Sequence, residues 1–290
     1  MTNEQPLTYV TKAGGYTAPF SAEKVRASLE RSGASPKAID AVIKELTLRA
    51  YPGMPTHMVH KIAFNLLRRY SRPAAGRYHL KQAIFELGPT GFPFEQFIAA
   101  LFQQAGFAAV TNQLMNGHCV KHEIDILAVK QSSYHIIECK YHQVAGTHCD
   151  VKTPLYVQAR FKDIESGWAA SRGKEPAACQ PWLVTNTRFT PDALQYGQCA
   201  GLHLMSWDFP NGKSLKDVID KTGLYPVTCL TTLNRNEKQR LLVKGVVLCE
   251  TLAAHPSYCD AAGISPHKKT AAIAEAQHLC NKMVKTEWVM

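Results

Sequence analysis

The sequence predicts a multidomain chain of mixed α+β and α/β class. A mostly helical module comes first, a mixed β-sheet core flanked by helices follows, and a small helical tail closes it. Three observations predict this. Apolar residues recur at helical spacing through residues 21–86. Two strand-like runs joined by a polar break lie at residues 122–142, and helix, strand, helix and strand follow them. Helical spacing then returns from residue 228. A chain of 290 residues has room for two or three such domains.

Residues 1–89 open on a short hairpin. Leu7 to Lys12 reads as a strand, Ala13-Gly14-Gly15 as a turn, and Tyr16 to Phe20 as the return strand. Ser21 is placed to cap a helix running through Val25 and Leu29 to Gly33-Ala34. A second helix spans Pro36 to Ala50, with Ile39, Val42, Ile43 and Leu46 on one stripe. Thr56 is expected to cap a third, His57 to Tyr70, and Ala74 to Glu86 forms a fourth.

In residues 90–213, Gly91-Phe92-Pro93-Phe94-Glu95 opens a helix that reaches Gly106-Phe107. The run HEIDILAVKQSSYHIIECKYH, His122 to His142, then reads as a hairpin with Gln131-Ser132 as its turn. With Lys130 opposite Ser133, Asp125 falls opposite Glu138 and Glu123 opposite Lys140. Alternation puts Glu138 and Lys140 on one face and Cys139 on the other. Two carboxylates and an ammonium then meet at a cross-strand spacing of roughly 5 Å. Charges set into otherwise apolar strands need a partner or a metal. An ordinary solvated hairpin with cross-strand ion pairs, such as Glu123 with Lys140, is the plainer alternative.

Val144 to Val151 is expected to be a loop. Leu155 to Trp168 forms a helix with Tyr156, Arg160 and Asp163 on one side and Gln158 on a neighbouring one. Pro181 to Asn186 is a strand, Thr190 caps a helix from Pro191 to Cys199, and Leu202 to Trp207 is the last strand. A linker is expected at 214–227. The tail, 228–290, begins a helix at Leu230 to Leu233 and continues with Glu237 to Leu242 and a Lys244-Gly245-Val246 turn. Leu248 to Ala254 and a helix from Lys269 to Met283 complete it.

The net charge of +10 is unevenly spread. Residues 1–90 carry 13 basic against 6 acidic side chains, 91–225 carry 12 of each, and 226–290 carry 8 against 5. The excess flanks the charged hairpin, which suits a polyanionic partner. Nine scattered cysteines without a CxxC pair argue against a zinc site and for a reducing cytoplasm. The chain has no apolar run long enough for a membrane span and no N-terminal apolar leader.

Three resemblances emerge from these residues. Asp125, then Glu138-x-Lys140, with the Glu95 helix before them and the VTNTRFTPDA segment after, resembles the Mrr-like branch of the PD-(D/E)xK restriction-endonuclease superfamily. Val10-x-Lys12-x-x-Gly15, Phe20, Lys24, Thr56 and Arg77-Tyr78 together resemble the ATP-cone, a nucleotide-sensing domain. Ala13 and Gly14 stand where that family usually has Arg and then Asp or Asn. LLVKGVVLCETLAAH is similar to helix-hairpin-helix modules, whose glycine turn offers N–H groups to a DNA phosphate. A packing or homo-oligomer module is the other reading of that tail.

The nuclease resemblance implies a metal-dependent DNA endonuclease. Asp125, Glu138 and the backbone carbonyl of Cys139 would hold Mg²⁺ or Mn²⁺, Glu95 would reach the metal from its helix, and Lys140 would orient the attacking water. Gln158 or Arg160 would touch phosphate, and His122, Tyr141 and His142 would be neighbours that shape the site. The ATP-cone resemblance implies ATP or dATP as an effector, held by Lys12 and Lys24 at its phosphates and Thr56 near the base, with Val10 among the binding residues. No GxxxxGK[ST] loop is present, so nucleotide would be sensed and not spent on a motor. The alternative functions are a catalytically silent DNA-binding protein and a nucleotide-sensing regulatory protein.

Overall fold

The computed structural model describes residues 9–12, 14–172 and 179–280. Leu7, Thr8, Ala13 and the expected end of the last helix at Met283 lie outside them. The chain divides into two compact units, one of Met1–Ala83 with Tyr225–Asn281 and the other built on Ile84–Leu224. The first unit is thus drawn from both ends of the chain.

In the first unit, β1 (Tyr9–Thr11) and β2 (Thr17–Pro19) form the expected hairpin, with Tyr9 opposite Pro19. Ser21 caps α1 (Ala22–Arg31), its hydroxyl accepting from the Lys24 N–H at 3.2 Å. Ser35 does the same for α2 (Pro36–Arg49). A strand the sequence reading lacks, β3 (Met54–Pro55), runs parallel to β1 with Met54 opposite Val10. It leads directly into α3 (Thr56–Tyr70). Pro55 is the cap residue there and makes no side-chain capping bond, so Thr56 is the first residue of the helix and not its cap. The expected fourth helix is two, α4 (Arg72–Tyr78) and α5 (Leu80–Phe85), separated at His79. Leu29, Ile39, Val42, Leu67 and Ala75 are buried together between α1 and α4.

The second unit is a five-stranded mixed sheet with helices against it. α6 (Phe92–Gln104) buries Phe94, Phe97, Ile98, Leu101 and Phe102. β4 (Ala108–Asn116), β5 (Lys121–Lys130) and β6 (Ser133–Lys140) form an antiparallel meander. The expected loop at 144–151 contains β7 (His148–Cys149). α7 (Lys152–Arg172) follows, then β8 (Cys179–Thr185), β9 (Arg188–Phe189), α8 (Pro191–Cys199) and β10 (His203–Met205). The sheet order is β10-β8-β6-β5-β4, parallel across β6, β8 and β10. β7 and β9 pair separately. Thr190 caps α8 as expected, accepting from the Ala193 N–H.

The stretch expected as a linker is α9 (Leu215–Thr222), whose Ser214 and Asp217 form a capping box and whose Leu215, Val218 and Ile219 are buried. A helix with a buried apolar stripe packs as part of its unit, so most of 214–227 is a folded element and the crossing between the units is confined to Leu224-Tyr225.

The chain then returns to the first unit through a single 3₁₀ turn, Val227–Cys229, in place of the helix start expected at Leu230. α10 (Arg235–Val243), α11 (Cys249–Ala254), α12 (Ser257–Ala261) and α13 (Pro266–Cys280) complete it. Gly245, at φ 75°, makes the turn after α10 that an L side chain would resist. The tail is tied to α4, where Arg77 donates to the His278 carbonyl at 2.6 Å. Thr228 donates to the carbonyl of Ala83 at 2.7 Å. Among the described residues no helix is long and apolar enough to cross a membrane.

Candidate active site

The hairpin has the register its turn implies. Lys130 pairs with Ser133 and Ile126 with Ile137. There the ladder stops, one place short of Asp125 and Glu138. On the other side of β5 the ladder also skips Asp125, between Thr111↔Ile126 and Gln113↔Ile124. The β4 residue at that place, Asn112, sits at φ 55°, a left-handed conformation in which asparagine is enriched. Asp125 therefore stands at a local break in the sheet. Its Oδ2 accepts the Cys139 N–H at 2.7 Å, a carboxylate taking the place of a ladder carbonyl. In an extended strand the carbonyl of a residue leaves on the same side as its N–H, which puts the Cys139 carbonyl on the side of Asp125.

The expected pairing of Glu123 with Lys140 does not form. The strands have parted by that point, and Arg160 of α7 fills the gap. Its guanidinium donates to Glu138 Oε2 at 2.7 Å and to the Glu123 carbonyl, and it lies over the Tyr156 ring. Lys140 is left exposed. Its backbone is fixed from β8, since the Thr185 hydroxyl donates to the Lys140 carbonyl at 2.7 Å. Asn186, fully buried, exchanges two 2.8 Å hydrogen bonds with the backbone of His142.

Glu95 arrives from the first turn of α6. That turn is docked on the end of β6 through Tyr141, whose ring packs on Phe94 and whose hydroxyl donates to the Phe85 carbonyl at 2.6 Å. A Cβ built on Gly91 would sit 3.1 Å from Glu95 Oε1, so the carboxylate folds back over a residue with no side chain.

The electrostatics follow from this crowding. Burial, then the charges of Asp125 and Glu123, push the Glu95 carboxyl up to about 7. Glu138 is pushed up to about 7 by burial and by Asp125, with Arg160 pulling the other way. Asp125 is raised by burial, an effect its bond from the Cys139 N–H partly offsets. Hard oxygen donors that repel one another are the donor set that suits Mg²⁺ or Mn²⁺. Even so, among the described residues no three His, Cys, Asp or Glu side chains are assembled to hold a metal. One oxygen of the Glu138 carboxylate is engaged by Arg160, which leaves the other for a cation held with Asp125.

A pH dependence follows. Groups raised from 4.5 to about 7 in the folded protein favour the folded state most at low pH, and that contribution is lost as pH rises from about 4.5 through about 7. In metal-free buffer, thermal melts of a Glu95→Gln variant are expected to lose part of the decline that wild type shows over this range. Parallel curves for the two proteins would show that Glu95 is not part of a repelling cluster.

The residue that anchors α7 was not singled out by the sequence as anything but a member of its face. Asp163 accepts from His122 Nε2 at 2.7 Å and from the N–H groups of Cys119 and Val120, which holds its carboxyl well below the usual range. Its spacing from Arg160 was legible, but its partners lie across the chain. His122 thus serves the helix anchor, while Tyr141 and His142 hold the end of β6. Gln158 turns a buried Oε1 that has no hydrogen-bond partner among the described residues.

The residues expected to bind nucleotide lie in the first unit. Val10 is buried in β1, and the parallel register of β1 with β3 puts Lys12 and Thr56 at one end of the small sheet. The antiparallel β2 leaves from the other end toward Lys24 in the first turn of α1. Among the described residues no hydrogen bond or ion pair joins Lys12, Lys24 and Thr56.

Comparison with known proteins gives relatives without an assigned function. A family described as AF1548-like, C-terminal, matches residues 225–280. An uncharacterised protein of Archaeoglobus fulgidus is 32% identical over 181 residues, which is 62% of this chain and 98% of the relative. The crystal structure of a protein of unknown function, AF1548, superposes with a TM-score of 0.55 at 29% identity, covering 66% of this chain and 98% of that one. With nearly the whole of the archaeal relative matched at this identity, the chain belongs to the AF1548-like family.

Proposed function

We propose that this protein is a metal-dependent DNA endonuclease of the Mrr-like PD-(D/E)xK kind, with the β5–β6 hairpin as its active site. The observation that carries the reading is the meeting of Glu95, Asp125 and Glu138, from three different elements, beside the exposed Lys140. Mutually repelling, partly buried carboxylates are costly to a fold and are retained where a cation or a substrate uses them. Asp125 and Glu138, with the Cys139 carbonyl and Glu95 at hand, would hold Mg²⁺ or Mn²⁺, which would supply a Lewis acid to acidify water and screen phosphate. Lys140 orients the attacking water and offsets charge growing on the phosphate oxygens. Water attacks phosphorus and gives a proton to solvent, the ester P–O bond breaks, and the departing oxygen takes a proton from solvent. Arg160, beside Glu138, would meet a phosphate oxygen.

The first unit adds a nucleotide response in this reading, with ATP or dATP bound through Lys12, Lys24, Val10 and Thr56. A second reading, a protein that binds DNA without cutting it, is favoured by one observation: Glu138 is paired with Arg160, and among the described residues no three metal-ligating side chains are assembled.

Cleavage of supercoiled, linear and branched DNA separates the two. Wild type with Mg²⁺ or Mn²⁺ is expected to nick DNA, Lys140→Ala to be slower by about 10²-fold or more, and added ATP or dATP to change the wild-type rate. DNA binding with no metal-dependent cutting by wild type on any substrate would establish the silent reading.

A further inference from the structure

The first unit carries a second cationic feature, away from the expected nucleotide residues. Asn65, Arg68 and Arg69 on the last turns of α3 and Arg72 at the start of α4 follow one another at three, one and three residues. Asn65 shares a face of α3 with Arg68 and Arg69, three and four residues on, and the break at Ser71 carries Arg72 onto the next helix. With Arg49 at the end of α2 and Thr231-Thr232 after the 3₁₀ turn, they line an open cleft of about 830 Å³. Four of the seven lining residues are arginine and none is acidic.

The cleft has one fixed wall. Glu275, only 4% exposed, accepts hydrogen bonds from the N–H and hydroxyl groups of both threonines, at 2.6–2.9 Å. The Thr232 hydroxyl in turn accepts from Arg72 at 3.0 Å. Arg49 is paired with Glu45 on its own helix. Arg68 leans over the Phe64 ring, and neither Arg68 nor Arg69 forms an ion pair with a carboxylate among the described residues. Four guanidinium groups around one opening repel one another unless an anion joins them.

We propose that this cleft grips the phosphate backbone of duplex DNA without regard to sequence. Guanidinium forks match phosphate oxygens two at a time. The lining offers no aromatic ring for an unpaired base to stack on, and contacts to phosphate alone carry no sequence information. The volume takes more than one phosphate, which a continuous polyanion supplies. Thr56 opens α3 and Arg68 and Arg69 close it, so the cleft is about 18 Å along the helix from the expected nucleotide residues. The inference does not depend on the hairpin being catalytic.

The test is fluorescence anisotropy of full-length protein with two duplexes of unrelated sequence, in EDTA to exclude cutting, over a range of KCl. Arg68→Gln/Arg69→Gln is compared with wild type, with Arg68→Lys/Arg69→Lys and with Lys140→Ala. The glutamine pair is expected to weaken both duplexes equally, by about 10- to 100-fold, and to lower the salt slope by about two. The lysine pair keeps the slope and so separates lost charge from lost fold. Unchanged affinity and slope in the glutamine pair would overturn the proposal. So would tighter binding of single strands through these arginines, or loss of tripolyphosphate binding with duplex affinity intact. Lys140→Ala is expected to bind both duplexes as wild type does, and a loss in it equal to that of the glutamine pair with the pair itself unchanged would overturn the proposal by placing the grip on the hairpin.

Discussion

Asp125→Asn is expected to remove metal-dependent cleavage, by about 10³-fold or more, while leaving the metal-free protein as stable as wild type or more so. The activity loss follows from position, since even groups that only support a metal ligand are worth about 10- to 100-fold. The stability result follows from crowding. Asp125 is one of the charges that raise Glu95 and Glu138 toward neutral pH, so an uncharged amide relieves them. The amide also keeps an oxygen to accept the Cys139 N–H. Asp125→Ala is equally inactive but leaves that N–H without its partner, at a cost of about 1–3 kcal/mol. Cleavage rates with Mg²⁺ and melts in EDTA at pH 8 check both halves. An Asp125→Asn variant that still cuts would remove Asp125 from the active site. One destabilised as much as the alanine variant would mean that the carboxylate is chiefly structural.

Gly167→Ala is expected to destabilise the protein by about 3 kcal/mol or more, at the upper end of what overpacking costs. α7 lies so close to the β4–β5 turn that a Cβ at Gly167 would meet the Gly117 carbonyl carbon at 2.5 Å and the His118 nitrogen at 2.8 Å. These are backbone atoms and cannot swing aside. A Cβ at Gly117 would in turn overlap Asp163 Oδ2. The helix has to lift, which breaks the bonds from Cys119, Val120 and His122 to Asp163. It also draws Arg160, two turns earlier on the helix, away from Glu138. Urea unfolding measures the change directly, and a variant within about 0.5 kcal/mol of wild type would mean that the helix packs more loosely than these distances imply.

Much of the hairpin was legible because its physics is local. A polar two-residue turn between apolar strands set the register, and alternation set which side chains share a face. What alternation does not carry is where a ladder ends. The parting of β5 and β6 beyond Ile126, and the arrival of Arg160 in place of Lys140 beside Glu138, depend on a helix more than twenty residues away. β4 escaped notice because Ala108–Asn116 buries little, with only Ala109 and Met115 inside. The missed α9 had a readable start in Ser214-x-x-Asp217 and a readable stop in Gly223, both obscured by the Pro-Asn-Gly run before them. Thr56 looked like a cap because threonine often is one. The two-residue β3 ahead of it left Pro55 in the capping position.

The hydrogen bond from Thr228 to Ala83 joins the place where the chain leaves the first unit to the place where it returns. During synthesis the apolar faces of α1 to α4 are made long before the tail that covers Gly76 and Arg77. The described residues of the second unit, by contrast, all lie within 84–224 and can pack as soon as that stretch has emerged. A chain cut short after residue 224 would carry the hairpin site whole and leave the first unit unsealed, and a chain with Ala83 spliced to Tyr225 would close the first unit without it.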